Sequence, residues 1–115
     1  MNWYLVLRHD PHPITVDDPL LGQHLTWMRA QHGHGTIVMS GPARDRSTGL
    51  YVVRAHSRDD AARVAAEDPL AAHRQARIEI IEWEVHQILG TGPFDVESLR
   101  AMGFRRSRPR QGRRR

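Results

Sequence analysis

Two residues far apart in the chain are of the types that move protons near neutral pH. His24 lies in the run PLLGQHLTWMRAQHG, between Leu21 and Leu25 and one turn before Met28. Those apolar residues recur at helical spacing, which puts His24 on the inward side of an amphipathic helix or at its edge. Asp68 stands directly before Pro69, after the alanine-rich run AARVAAE. A carboxylate that accepts a proton from one imidazole nitrogen fixes the tautomer and raises the basicity of the other. If the fold brings the two side chains together, the pair is a general base or acid. The plainer reading of Asp68 is a helix cap, because Asp is strongly preferred there and proline suits the first helical position. Asp18-Pro19 has the same grammar. The two roles are compatible, since a carboxylate has two oxygens. His24, taken alone on an apolar stripe, reads as a core histidine.

The elements that must position this pair are legible in outline. Residues 2–8, NWYLVLR, alternate and are rich in strand formers. Trp3, Leu5 and Leu7 share one face, and Tyr4, Val6 and Arg8 the other. A loop, DPHPITVDD, leads to the helix that opens at Asp18-Pro19 and ends at Gly33 and Gly35. TIVMS (36–40) is a second strand that Gly41-Pro42 breaks, and GLYVVRAH (49–56) is a third. Ser57 caps a second helix with Asp59 and Asp60 in its first turn, where the helix dipole favours anions. Asp68-Pro69 starts a short third helix. ARIEIIEWEVHQIL (76–89) reads as the longest strand, with Ile81, Trp83, Val85 and Leu89 on one face and Ile78, Ile80, Glu82, Glu84, His86 and Ile88 on the other.

The order β-α-β-β-α-(α)-β is an α+β, ferredoxin-like split βαβ with a four-stranded antiparallel sheet and both helices on one face. The other face is left open, and the Ile78 set of the last strand is assigned to it. A face partly apolar and partly ionic is poorly suited to bulk water, so a second copy of the chain is its expected cover, giving a homodimer.

Composition narrows the classes. The chain has 115 residues, enough for one domain of ordinary size, and no cysteine, which excludes disulfides and Cys-based zinc sites. No apolar run approaches the ~20 residues of a membrane span. The start, MNWYLVLRHD, lacks the basic residues and cleavage signal of a secretory leader, so a cytoplasmic protein is expected. Net charge is +4, yet seven of the 17 basic residues, all arginine, lie in the last 11 positions. The remainder carries 10 basic against 13 acidic residues. The expected organisation is a domain over 1–89, an extension over 90–103 with a possible short helix, and an arginine-rich, disordered tail over 104–115. Such a tail gives at most weak, sequence-blind contact with nucleic acid.

The stretches HLTWMRAQHGHGTIVMSGP, GLYVVRAHSRDDAARVAAEDP and IEIIEWEV together resemble the YciI-like (YCII-related) family. The carriers are His24, Gly35, Ser40-Gly41-Pro42, Gly49 with Leu50, Asp68-Pro69 and the Trp83 strand, in that order and spacing over residues 2 to 89. The resemblance implies a dimeric α+β barrel. It implies an active site around a His and an Asp, which fall here on His24 and Asp68, with the Ser40-Gly41-Pro42 turn lining the same pocket. It also implies lyase, dehydrochlorinase or isomerase-like chemistry on a small molecule, without a metal or organic cofactor.

The other histidines have plainer readings. His32 and His34 sit at a helix end, where positive charge suits the dipole, and their spacing of two is not that of helical metal ligands. His9, Asp10 and His12 are loop-borne and lack a further ligand, so no metal is expected. His73, five residues past Asp68, is a candidate for the same pocket. The expected function is therefore a small cofactor-independent enzyme. His24 transfers a proton, Asp68 orients it, and Ser40 with its neighbours positions a substrate oxygen. The alternative is a non-catalytic dimeric module that binds a small molecule or a protein, with a pocket filled by side chains and with His24 and Asp68 bonded only to backbone.

Overall fold

The computed structural model describes residues 1–88, of which Met1–Glu84 form one compact unit and 85–88 carry no regular secondary structure. The expected extension and arginine-rich tail lie outside the described residues. The elements are β1 (Asn2–His9), α1 (Pro19–Gly33), β2 (Ile37–Pro42), β3 (Thr48–Ala55), α2 (Arg58–Ala66), α3 (Pro69–Arg74) and β4 (Arg77–Glu82). The strands form one sheet in the order β2-β3-β1-β4, with every neighbouring pair antiparallel. This is the ferredoxin-like arrangement that the element order predicts.

Local signals explain where the helices begin and end. Asp18 and Asp68 accept the backbone N–H groups of Leu20 and Leu70, and Ser57 accepts that of Asp60. Each bond satisfies a donor that the first turn leaves without a helical partner. At the C-terminal end of α1 the chain turns through Gly35, whose φ of 74° lies in the left-handed region that glycine enters at least cost. The N–H of Thr36 then bonds back to the carbonyl of Gln31.

The core fills the space between the helices and one face of the sheet. Tyr4 and Val6 of β1, Tyr51, Val53 and Ala55 of β3, Met28 of α1, and Ala61 and Ala65 of α2 are all buried. The two alanines are spaced i, i+4, and their small side chains let α2 lie close to the strands. Each fully buried valine contributes about 1.5–3 kcal/mol.

Three expectations about the strands are corrected. Ile78 and Ile80 do not belong to the open face. The register sets Ile80 opposite Val6 and Ile78 opposite Arg8, and both isoleucines pack against the core. Ile81, opposite Leu5, and Trp83 occupy the open face, each 43% exposed. β4 ends at Glu82 rather than 89: its last ladder pair with β1 is Glu82 with Tyr4, followed by a single bond from the Trp83 N–H to the Trp3 carbonyl. His86 therefore lies past the end of the strand. Gly41-Pro42 does not break β2, which continues to pair Pro42 with Gly49 after a register shift between Ile37 and Ser40. Proline is tolerated there because β2 is an edge strand.

Candidate active site

Asp68 is the residue on which the site converges. It follows directly on α2 and caps α3, and its side chain is fully buried. Oδ1 accepts both the Leu70 N–H, at 3.0 Å, and His24 Nδ1, at 2.7 Å. Oδ2 accepts Arg8 Nη1 at 2.8 Å. A carboxylate facing Nδ1 places the imidazole proton there and leaves Nε2 with its lone pair free. The cap and the histidine partner are thus the same carboxylate.

Arg8 reaches Asp68 from β1, whose even-numbered side chains face the helices. It is 5% exposed. Asp10 holds it in a two-pronged grip, Nε to Oδ1 at 2.7 Å and Nη2 to Oδ2 at 3.1 Å. A β-carbon placed on Gly49, paired with Arg8 across the β1–β3 ladder, would lie 2.6–2.8 Å from three atoms of the guanidinium. Only bare backbone at position 49 leaves room for the cation. Burial works against the charge on Asp68, but hydrogen bonds and charges from His24 and Arg8 outweigh it and hold the carboxyl below its usual range. Burial likewise opposes the charge on Arg8, and Asp10 and Asp68 outweigh it. Asp68 is therefore held as an anion, which suits it to orient His24 rather than to act as the base.

The His24 ring, with 13% of its side chain exposed, lines a cavity of about 350 Å³. Trp27 packs beside the ring at a centroid distance of 6.2 Å, and Trp27 and Tyr51 form a T-shaped pair with centroids 6.0 Å apart. Leu21, Leu25, Met28 and Leu70 supply apolar wall, and Arg8 and Tyr51 also line the cavity. Ser40, Gly41 and Pro42 line it as well, with Ser40 Oγ 3.0 Å from His32 Nε2. A further tie joins the helices: Arg74 of α3 donates to Asp18, the cap of α1, just as His24 of α1 meets Asp68, the cap of α3.

The structure does not bring His73 to this group. It is exposed on α3 and off the cavity lining, because five residues past the cap is about 140° round the helix. His9 and Asp10 are drawn apart: His9 Nε2 meets Glu79 across the β1–β4 ladder, while Asp10 is taken by Arg8. Among the described residues no group of three or more His, Asp or Glu side chains is placed to hold a metal ion. No helix among them is long and apolar enough to cross a membrane. Arg8, Asp10 and Tyr51 were missed as site residues by sequence reasoning. The usable signal was parity, since Arg8 shares its strand face with Tyr4 and Val6.

Residues 1–84 match the YCII-related domain. The chain belongs to this family. The uncharacterized protein YjpA of Bacillus subtilis (strain 168) is 31% identical over 62 residues, which cover 54% of this chain and 73% of that one. Among solved structures, the 5-chloro-2-hydroxyhydroquinone dehydrochlorinase of Burkholderia phenoliruptrix AC1100, in complex with 2,5-dihydroxybenzoquinone, is similar in fold. Its TM-score is 0.58 at 18% identity, over 71% of this chain and 93% of that one.

Proposed function

We propose that this YCII-family chain is a small enzyme that transfers a proton to or from a small organic molecule, with no cofactor needed for that step. His24 Nε2 removes a proton from carbon beside a carbonyl, or from a phenol-like hydroxyl. The electron pair left behind expels a leaving group, shifts a double bond or closes a ring, and the imidazolium returns its proton to product or solvent. Asp68 holds the ring and stabilises its charged form, Arg8 keeps Asp68 ionised, and Ser40 positions a substrate oxygen. The observation that carries the reading is the 2.7 Å contact between His24 and a buried, ionised Asp68 on a ring that borders a cavity. The dehydrochlorinase of similar fold supports lyase-type chemistry as one member of this class.

A non-catalytic module is less well supported. It expects a pocket closed by side chains and a His24 and Asp68 that bond only to backbone, whereas the cavity has room for a ring-sized molecule. We also read the apolar open face of the sheet, with Leu5, Ile81 and Trp83, as the seat of a second copy. One experiment tests both parts. Purified His24→Ala, assayed against a panel of hydroxylated and chlorinated aromatic substrates that the wild type turns over, should lose at least a thousandfold in kcat/KM. It should still sediment at the same two-fold mass as the wild type. Full activity in the variant ends the enzyme reading, and a wild-type monomer removes the dimer from it.

A further inference from the structure

Asp10 is a buried carboxylate that the proton transfer proposed above does not use. It stands one residue past the end of β1, and 1% of its side chain is exposed. Its backbone is fixed independently of its side chain. The N–H of Asp10 bonds to the carbonyl of Ser47 at 3.0 Å, in the turn between β2 and β3 where Asp45 accepts from Ser47. His9 leaves on the other side toward Glu79, while Arg8 and Asp10 share a side and meet. Asp10 also borders the cavity, but each of its oxygens is taken by Arg8, at 2.7 and 3.1 Å. That disposes it to act on Arg8 rather than on a ligand.

A guanidinium presents its N–H donors in a rigid plane, and the edge formed by Nε and one Nη matches both oxygens of a carboxylate. Asp10 occupies that edge. Arg8 then reaches Asp68 through Nη1 alone, on Oδ2, and Oδ1 is left to His24 and the Leu70 N–H. With the edge free, Asp68 is the one remaining ion-pair partner of Arg8 among the described residues, and the guanidinium would compete with the imidazole for its oxygens. Charge points the same way. Asp10, Arg8 and Asp68 are two carboxylates and one guanidinium, so one negative charge is unmatched among them. Through the bond to Asp68 that charge is felt at the His24 ring, where it strengthens the Nδ1–H donor and opposes no cation that forms there during transfer. Without Asp10, the charges of Arg8 and Asp68 cancel.

We propose that Asp10 is a positioning residue of the proton-transfer site: it engages the two-donor edge of Arg8, so that Arg8 gives Asp68 a single bond and leaves the other carboxylate oxygen, and its charge, to His24. The orienting group is then a chain of three side chains, Asp10, Arg8 and Asp68, that runs from the end of β1 to the start of α3. This deepens the function proposed above and rests on it in one respect: the orientation serves a transfer at Nε2 of His24.

Nitrogen NMR of the intact, isotopically labelled chain tests this without a substrate. The ring nitrogens of His24, assigned by their absence from His24→Ala, report the neutral tautomer in alkaline solution. The wild type should hold the proton on Nδ1. Asp10→Asn has the same shape and still offers an oxygen to the Nε–H of Arg8, and in it the Nδ1–H fraction should fall. With a substrate that the wild type turns over, kcat of Asp10→Asn should drop about tenfold while KM stays within about twofold, the pattern of lost orientation rather than of a lost substrate contact. Asp10→Glu keeps the charge and should keep the Nδ1–H tautomer. A wild-type ring protonated on Nε2, a tautomer unchanged in Asp10→Asn, or a loss confined to KM would each overturn the proposal. Loss of the tautomer in Asp10→Glu would do so even if Asp10→Asn does not fold. If no substrate is turned over, the tautomer alone decides. If the tautomer ignores Asp10 while His24→Ala abolishes turnover, the enzyme reading stands and this inference falls.

Discussion

Asp18 and Asp68 begin their helices with nearly the same backbone, φ −61° with ψ 124° and φ −61° with ψ 120°. Each precedes a proline, and each accepts the N–H two residues on. Their surroundings differ. Asp18 is partly exposed and shares its charge with Arg74, itself about one-third exposed. Asp68 is sealed from solvent between an imidazole and a buried guanidinium. One local grammar therefore serves two ends. In the first helix it starts a helix, and in the third it also fixes an anion where the sheet and α1 can use it. The cap is a property of the dipeptide, whereas the burial of Asp68 and its bonds to His24 and Arg8 come from what the tertiary fold sets around it.

The sharpest way to break this comparison is to delete both carboxylates in turn. Asp68→Ala leaves Arg8 and His24 facing a void and should cost about 3–5 kcal/mol, a large part of the stability of a domain this size. Denaturant unfolding reads the loss. Asp68→Asn sharpens the point through pH. The folded-state carboxyl of Asp68 is depressed, so its contribution is fully present above the unfolded pKa of about 3.9 and fades as pH falls through the lower folded value. The wild type should lose stability more steeply than Asp68→Asn below about pH 4; parallel acid limbs would deny that Asp68 is held ionised.

Gly49→Ala comes next in size. The methyl group needs space that the Arg8 guanidinium occupies, and a buried, doubly paired arginine cannot step aside freely. A loss of about 1–3 kcal/mol is expected by analogy with overpacked cores. An unchanged melting curve would show that the cation slides without penalty. Asp18→Ala should be mildest, lowering the melting temperature by about 4–8 °C, as loss of one cap does in a small domain. If it matched Asp68→Ala, the contrast between the two starts would be gone.

The contrast also explains what could be read beforehand. Cap, proline and apolar spacing are local, so all three helices were legible. His24 and Asp68 were visible by type, and the topology that joins them followed from the element order. Arg8 was not singled out, because a cation on a strand reads as solvent-facing and only its parity with Tyr4 and Val6 argues otherwise. In β4 isoleucines occupy both parities, so alternation could not say which set meets the helices. That is decided by register against β1, where Ile80 falls opposite Val6. His73 looked near to Asp68 along the chain, but helical rotation carries it away.

The short helix α3 is fastened at both ends to α1, by Asp68 to His24 at its start and by Arg74 to Asp18 near its end. Six residues do not hold a helix in water by themselves. Its amides, such as Ala71 and Ala72 bonded to the carbonyl of Asp68, should exchange with deuterium at a rate set by those two fastenings. Occupancy of the neighbouring cavity, which α3 borders through Leu70, should then register in the exchange of these amides.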